Sequence, residues 1–434
     1  MNLLIRNGRV IDPASGLDAV QSVLVQDGAI VALGPALAIP EGTPTIDAEG
    51  KVVCPGFIDL HTHLREPGYE YKETIRTGTC AAAAGGFTAV CAMANTGPVN
   101  DNRAVTDYVL AKARVEGVVR VYPIGAVTRG IVGEQPAEWG ELAEAGCVAF
   151  SDDGKPVMSA GLLRRAMEYL LPFGTPIISH AEELALSAGG VMHEGVVSTE
   201  LGLAGIPGAA EEVMVGRDIV LAELTGAPVH FAHLSTAGGV RLVREAKARA
   251  IRVTAEVTPH HLVLTDEAVR NYDPNAKMNP PLRAKHDREA LLEGLADGTI
   301  DAIATDHAPH ALAEKEGEFD RAAFGIVGLE TAASLLMDRL VRPGLLDLTT
   351  LIARLTIGPA RAFGLAGGTL AVGSPADITI LDPGRELTID PGRFYSRSRN
   401  TPFAGWTVTG MPWMTIVGGR VVMWEHVIKE GFHG

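Results

Sequence analysis

The chain has 434 residues, of which 47% are hydrophobic and 21% charged, and its formal net charge is −15. This suits one large α/β domain with an accessory piece and a sizeable buried core. The acidic balance without a basic cluster argues against nucleic acid; no apolar run suits a membrane span and no signal peptide is visible, so a cytoplasmic location is expected.

Residues 1–54 read as short strands and turns, as in "LLIRNGRVIDP" and "SVLVQDGAIVALG". Alternating apolar and polar residues broken by Gly, Pro and Asp predict small hairpins. From residue 55 to 364 the pattern changes. Short β-branched runs recur at 56–61, 87–93, 119–127, 147–151, 175–180, 228–233, 251–257 and 300–306, with helical stretches such as "VTDYVLAKARVEG" between them. Most of these runs are apolar throughout, which suits a parallel sheet covered on both faces. Eight β/α repeats over this length predict a TIM-like (β/α)8 barrel; a doubly wound open sheet is the alternative, but no G-x-G-x-x-G follows an early strand. The stretch "AAAAGG" at 81–86 reads as a helix end with a glycine stop. Residues 365–434 return to hairpin character, as in "PADITILDPG" and "WTVTGMPWMTIVGGRVVMWEH". The two ends are expected to pair into one small β-sandwich beside the barrel, although separate lobes fit the pattern too. The four cysteines, Cys54, Cys80, Cys91 and Cys147, form no C-x-x-C pair and are expected to be buried free thiols.

Barrel chemistry sits at the C-terminal ends of the strands. Strand one ends in "HTHLR", placing His61 and His63 on one face. Strand two leads to Asn95 and strand four to Asp152 and Asp153. Strands five, six and eight end at His180, His233 and Asp306, and strand seven is followed by His260 and His261. One H-x-H is weak evidence for a metal. Four histidines and two aspartates gathered at one barrel mouth are much stronger, and imidazole with carboxylate suits Zn²⁺ and its neighbours. Six candidate ligands exceed one tetrahedral site, so two metals sharing a carboxylate would use them well. Such a pair lowers the pKa of a water and makes it a nucleophile, with Asp306 to accept the proton and return it to a leaving nitrogen. Asp59, on the face of His61, either orients a ligand imidazole or forms a salt bridge low in the barrel.

The segments "PGFIDLHTHLREPGYEYKETIRTGTCAAAAGGFT", "NTGPVND", "FSDDG", "ISHAEE", "VHFAHLSTA", "TPHHL", "KMNPPLR" and "IATDHAPH" together resemble the amidohydrolase superfamily, and within it the class I dihydroorotases. The resemblance runs from "GRVIDP" to "NTPFAGW" at 400–406. It implies a TIM-like barrel with a small β domain built from both termini. It also implies one or two Zn²⁺ per subunit, held by His61, His63 and Asp306 on the more buried side and His180 and His233 on the other. Asp153 would bridge them where other superfamily members use a carboxylated lysine; Asp152 is its competitor, and Lys155 lies one step past the bridge. Arg65 would pair with a substrate carboxylate through its planar fork. His63, Asn95, Asn279 and His310 would line the ring and carboxylate, and Phe324 and Gly325 would close the pocket. Simpler readings stand beside these: Arg65 paired with Glu66 or Glu70, and Asn95 and Asn279 as turn residues. Ala94 stands where the family usually has proline before "NT".

The implied activity is reversible conversion of N-carbamoyl-L-aspartate to dihydroorotate. The rivals are a dihydropyrimidinase, hydantoinase or allantoinase acting on related rings, and a non-catalytic partner of aspartate transcarbamoylase. A homodimer is expected, and association with aspartate transcarbamoylase remains open as a second role.

Overall fold

The computed structural model describes residues 2–40 and 42–429. The outermost ends of the expected 1–54 and 365–434 segments therefore lie outside the described residues. Eight parallel strands form one sheet in strict chain order: β1 (Phe57–Thr62), β2 (Phe87–Ala92), β3 (Arg120–Gly125), β4 (Ala149–Phe150), β5 (Ile177–Ser179), β6 (Val229–Phe231), β7 (Val253–Val257) and β8 (Ala302–Ile303). Each falls on one of the eight runs read from the sequence, β1 extending one residue past the 56–61 run to Thr62. β1 and β2 are buried at every residue, which is why their sequences are nearly continuous apolar runs.

Closure between β1 and β8 uses few ladder bonds. Thr62 bridges to His307, and the His63 amide donates to the His307 carbonyl at 2.9 Å. The Asp59 carboxylate completes the seam. It accepts from the Thr305 amide at 3.0 Å, the Thr305 hydroxyl at 2.6 Å and the His61 amide at 3.1 Å. Asp59 thus staples the first strand to the last, and among the described residues it touches no imidazole.

Helix Ile75–Ala84 starts with a Thr74–Thr77 capping box and stops at Gly85, where a Cβ would come within 1.9 Å of the Leu329 carbonyl oxygen. That stop delivers the chain into β2.

The terminal segments join in a nine-stranded sheet. Ile378–Thr388 pairs antiparallel with Val52–Pro55, which in turn lies beside Asn2–Asp12. The sheet curls until Gly419 packs beside Gly28 and Val25, enclosing Ile5, Val23, Ile30, Ile378, Trp413 and Ile416. The expected sandwich is therefore made from one sheet folded over on itself. A further pair of very short strands, Met192–His193 and Gly205–Ile206, was not expected.

Candidate metal centre and active site

The strands end where the polar residues begin. Arg65 (φ 60°), His233 (φ 32°) and Asp306 (φ 45°) all adopt the left-handed backbone region. For side chains of this size that conformation costs on the order of 1–3 kcal/mol each, and such outliers gather at functional sites. The turn it creates aims each side chain across the barrel mouth.

The structure brings His61, His63, Asp153, His180, His233 and Asp306 into one buried cluster. His61 Nε2 lies 3.3 Å from Asp306 Oδ1 and 3.5 Å from Asp153 Oδ1. His63 Nε2 lies 3.1 Å from Asp306 Oδ1 and 3.4 Å from Asp153 Oδ2. On the other side, His180 Nδ1 and His233 Nε2 lie 3.4 and 3.5 Å from Asp153 Oδ1, and 2.9 Å from each other. Asp153 is therefore central to both halves. Asp152 points away and is fully engaged, accepting from the Val127 and Thr128 amides at 2.8 and 2.9 Å and from the Thr128 hydroxyl.

Do these residues fit a metal? His61 Nε2 and Asp153 Oδ1 are buried and have no hydrogen-bond partner, a costly arrangement unless something else satisfies them. The tautomers agree. His61 donates through Nδ1 to Glu256 at 2.8 Å, His63 through Nδ1 to Asn95 at 2.9 Å, and His180 through Nε2 to Glu182 at 3.0 Å. Each leaves its second nitrogen lone pair facing the carboxylates, as metal ligation requires. Three overlapping triads have donor atoms within 4.8 Å of one another: His61–His233–Asp306, His61–His63–Asp153 and Asp153–His180–His233. Burial opposes ionisation of both aspartates, but imidazolium charge, His61 foremost, outweighs it and holds Asp153 and Asp306 below the usual carboxylate range. Against the cost of burial, the same carboxylates raise His61 and His180, the latter to about 10, so the cluster calls for positive charge that a cation would supply in place of the imidazolium protons.

The residues that aim the imidazoles were mostly missed from sequence. Glu256, in the middle of β7, is fully buried; its second oxygen accepts from His230 Nε2 at 3.1 Å. Burial pushes its carboxyl up, but the His230 and His61 hydrogen bonds bring it down to about 2. The signal was present: one acid inside an apolar strand, "VTAEV". Glu182 also accepts from Asn279 Nδ2 at 3.0 Å, so Asn95 and Asn279 are each tied to a residue of the cluster or its support. His261 is held by Thr258 and the Pro280 carbonyl at 2.7 and 3.0 Å. Neighbouring His260 has a buried Nε2 without a partner, and burial lowers its pKa to about 3.

Arg65 lies beside this cluster. Its Nε donates to the Pro309 carbonyl at 3.2 Å, and among the described residues it forms no ion pair. Glu66 instead caps the next helix at the Ile75 amide (2.9 Å) and meets Lys112, while Glu70 accepts from the Gly68 amide at 2.8 Å. His310 follows Pro309, and burial together with Arg65 lowers its pKa to about 3. Gly325 packs against it: a Cβ there would meet the Ala308 carbonyl oxygen and the His310 ring at 2.7 Å. Lys277 Nζ lies 4.5 Å from the Phe324 ring centroid.

A parallel barrel whose strand ends gather four histidines and two aspartates defines the metal-dependent amidohydrolase class, and comparison agrees. Residues 224–423 match a family described as Amidohydrolase family, and residues 50–238 one described as Dihydro-orotase-like. Among solved structures, the L-hydantoinase (dihydropyrimidinase) of Arthrobacter aurescens superposes with a TM-score of 0.89 at 27% identity, covering 98% of this chain and 97% of that one. The dihydropyrimidinase of Brevibacillus agri gives 0.85 at 25% identity, covering 99% and 96%. Curated relatives are much closer in sequence. The dihydroorotase of Pelotomaculum thermopropionicum is 58% identical, covering 99% of this chain and all of its own length. That of Geobacter metallireducens is 56% identical, covering 97% and 99%. The chain belongs to the dihydroorotase family.

Proposed function

We propose that this protein is a dihydroorotase, reversibly converting N-carbamoyl-L-aspartate to (S)-dihydroorotate and water in pyrimidine (UMP) synthesis, with Zn²⁺ as the metal, one or two per subunit. One observation carries the choice of substrate: a half-buried arginine, forming no ion pair among the described residues, stands two residues from the H-x-H. A guanidinium drawn partly out of water calls for an anion, and dihydroorotate brings a ring carboxylate.

His61, His63 and Asp306 would hold one metal, His180 and His233 a second, and Asp153 would bridge them. When bound, the metal supplies Lewis acidity, polarising the ring amide carbonyl and acidifying a water. Arg65 pairs with the substrate carboxylate, with Asn95, Asn279 and His310 beside it; His63 borders the ring, and Phe324 and Gly325 close the pocket. In ring opening, an Asp306 carboxylate oxygen takes the proton of the attacking water and delivers it to the departing ring nitrogen. In ring closure the same oxygen removes a proton from the ureido nitrogen and returns it to the carboxylate oxygen whose C–O bond breaks, which leaves as water with a second proton from solvent. The reaction belongs in the cytoplasm, and among the described residues no helix is long and apolar enough to cross a membrane. A homodimer fits this reading, with association with aspartate transcarbamoylase as an additional role.

The rival is an enzyme for uncharged rings, a likeness carried at 27% identity by the L-hydantoinase and outweighed by the 58% identical dihydroorotase. Arg65→Ala separates the two. For a dihydroorotase it weakens carbamoyl-aspartate use by about 100-fold, an ion-paired hydrogen bond being worth roughly 1.5–3 kcal/mol. Hydrolysis of dihydrouracil that survives Arg65→Ala unchanged would favour the rival.

A further inference from the structure

Asn400 lies outside the barrel strands, between Ile378–Thr388 and Thr407–Val417, yet it is buried at the barrel mouth. Its Nδ2 donates to the Ala308 carbonyl at 2.9 Å and the Gly325 carbonyl at 3.0 Å. Its Oδ1 accepts from the His310 amide at 3.1 Å, and its own carbonyl accepts from the Val327 amide at 2.9 Å. Both amide hydrogens and the amide oxygen are engaged.

These contacts join two strips of backbone. One strip is 308–310, and its middle residue, Pro309, presents the carbonyl that holds Arg65. The other is 325–327, which carries the Gly325 turn (φ 152°) against His310. Asn400 grips the first strip on either side of Pro309 and the second at Gly325. The width of one carboxamide therefore sets how far Arg65 and His310 stand from Gly325.

The segment does not depend on Asn400 for its attachment. Glu330 accepts from the Tyr395 and Ser396 amides at 3.0 and 3.1 Å. Glu73 accepts from the Ser396 hydroxyl and the Arg397 amide, and Ser398 Oγ donates to the Lys72 carbonyl at 2.8 Å. A change confined to residue 400 alters the spacing of the corner while these anchors keep the segment in place.

We infer that Asn400 is the positioning residue for the substrate-carboxylate corner, setting affinity for the anionic substrate through Arg65, His310 and Gly325. The inference rests on the dihydroorotase reading above. Asn400→Asp tests it with almost no change of shape, because a carboxylate has no hydrogen for the Ala308 and Gly325 carbonyls. Asn400→Ser keeps one donor.

The measurements are kcat and KM for N-carbamoyl-L-aspartate on the zinc-loaded enzyme, with metal content alongside. KM is expected to rise about fivefold in Asn400→Ser and more than tenfold in Asn400→Asp, with kcat and metal content within about threefold of the parent. In an Arg65→Ala background, Asn400→Asp is expected to add little, since its effect runs through a corner already lost. The inference is overturned by an unchanged KM, by loss of kcat or metal at constant KM, by full additivity with Arg65→Ala, or by failure of both variants to fold. Failure of the parent enzyme to turn over either compound would overturn the dihydroorotase reading itself.

Discussion

Replacing Glu256 with glutamine removes one charge at nearly constant volume. In the parent chain its two oxygens accept from His61 Nδ1 at 2.8 Å and His230 Nε2 at 3.1 Å. A carboxamide accepts at one oxygen and offers N–H at the other position, so it cannot serve two imidazole donors. Either His61 or His230 must change tautomer or lose its partner. If His61 changes, its Nε2 acquires the proton and its lone pair no longer faces Asp153 and Asp306. Loss of such a support typically costs 10- to 100-fold in metal affinity, or about 1.4–2.7 kcal/mol. The burial of Glu256 places the expected effect in the upper half of that range, because solvent does not reach the site to replace the lost acceptor. Glu182→Gln provides the internal contrast: its side chain is 13% exposed, so solvent compensates in part and the loss is smaller. The assay is zinc affinity by competition with a chromophoric chelator, with far-UV circular dichroism to check the fold. Affinity of Glu256→Gln within threefold of the parent, with the fold intact, would refute the claim that this carboxylate sets the His61 tautomer.

Gly325→Ala places a methyl against the Ala308 carbonyl and the His310 ring at a positive φ, and should lower the melting temperature and raise KM for carbamoyl aspartate about tenfold; an unchanged KM in the folded variant would show that Gly325 does not border the substrate. Asp59→Asn turns an acceptor of three donors into a mixed group at the barrel seam, and should cost about 2–4 kcal/mol in urea unfolding; a loss under 1 kcal/mol would contradict the staple. Glu330 is pushed by burial to about 7 from an ordinary 4.5. Its folded pKa is raised, so the native state binds the extra proton between those values and stability falls as pH rises from about 4.5 to about 7. Subtracting the Glu330→Gln curve from the parent should isolate that slope, and parallel curves would rule it out.

Much of the framework was legible because a covered parallel barrel writes itself as apolar runs, and a barrel site writes itself as polar residues where those runs stop. "DLHTHLR" and "IATDHAPH" carried both messages at once. Strand lengths were less legible: 300–306 narrows to Ala302–Ile303, because the chain must leave the ladder early to turn Asp306 into the mouth. Asp59 was read as an imidazole support or a salt bridge and is neither. Its partner, Thr305, is 246 residues away and becomes visible only once the barrel closes. Glu256 took the support role instead, and its acid in the middle of "VTAEV" was a readable anomaly. Asn400 was quoted within "NTPFAGW" but given no part, since its contacts depend on the long return of the C-terminal chain to the barrel mouth.

The most direct test of the account is to strip the protein of metal, reload one portion with Zn²⁺, and follow both portions with N-carbamoyl-L-aspartate and with dihydroorotate. The account predicts that only the loaded protein interconverts the two, and that Asp306→Asn retains zinc but loses at least about 1,000-fold in kcat. Equal turnover by the stripped protein, or near-normal turnover by zinc-loaded Asp306→Asn, would contradict it.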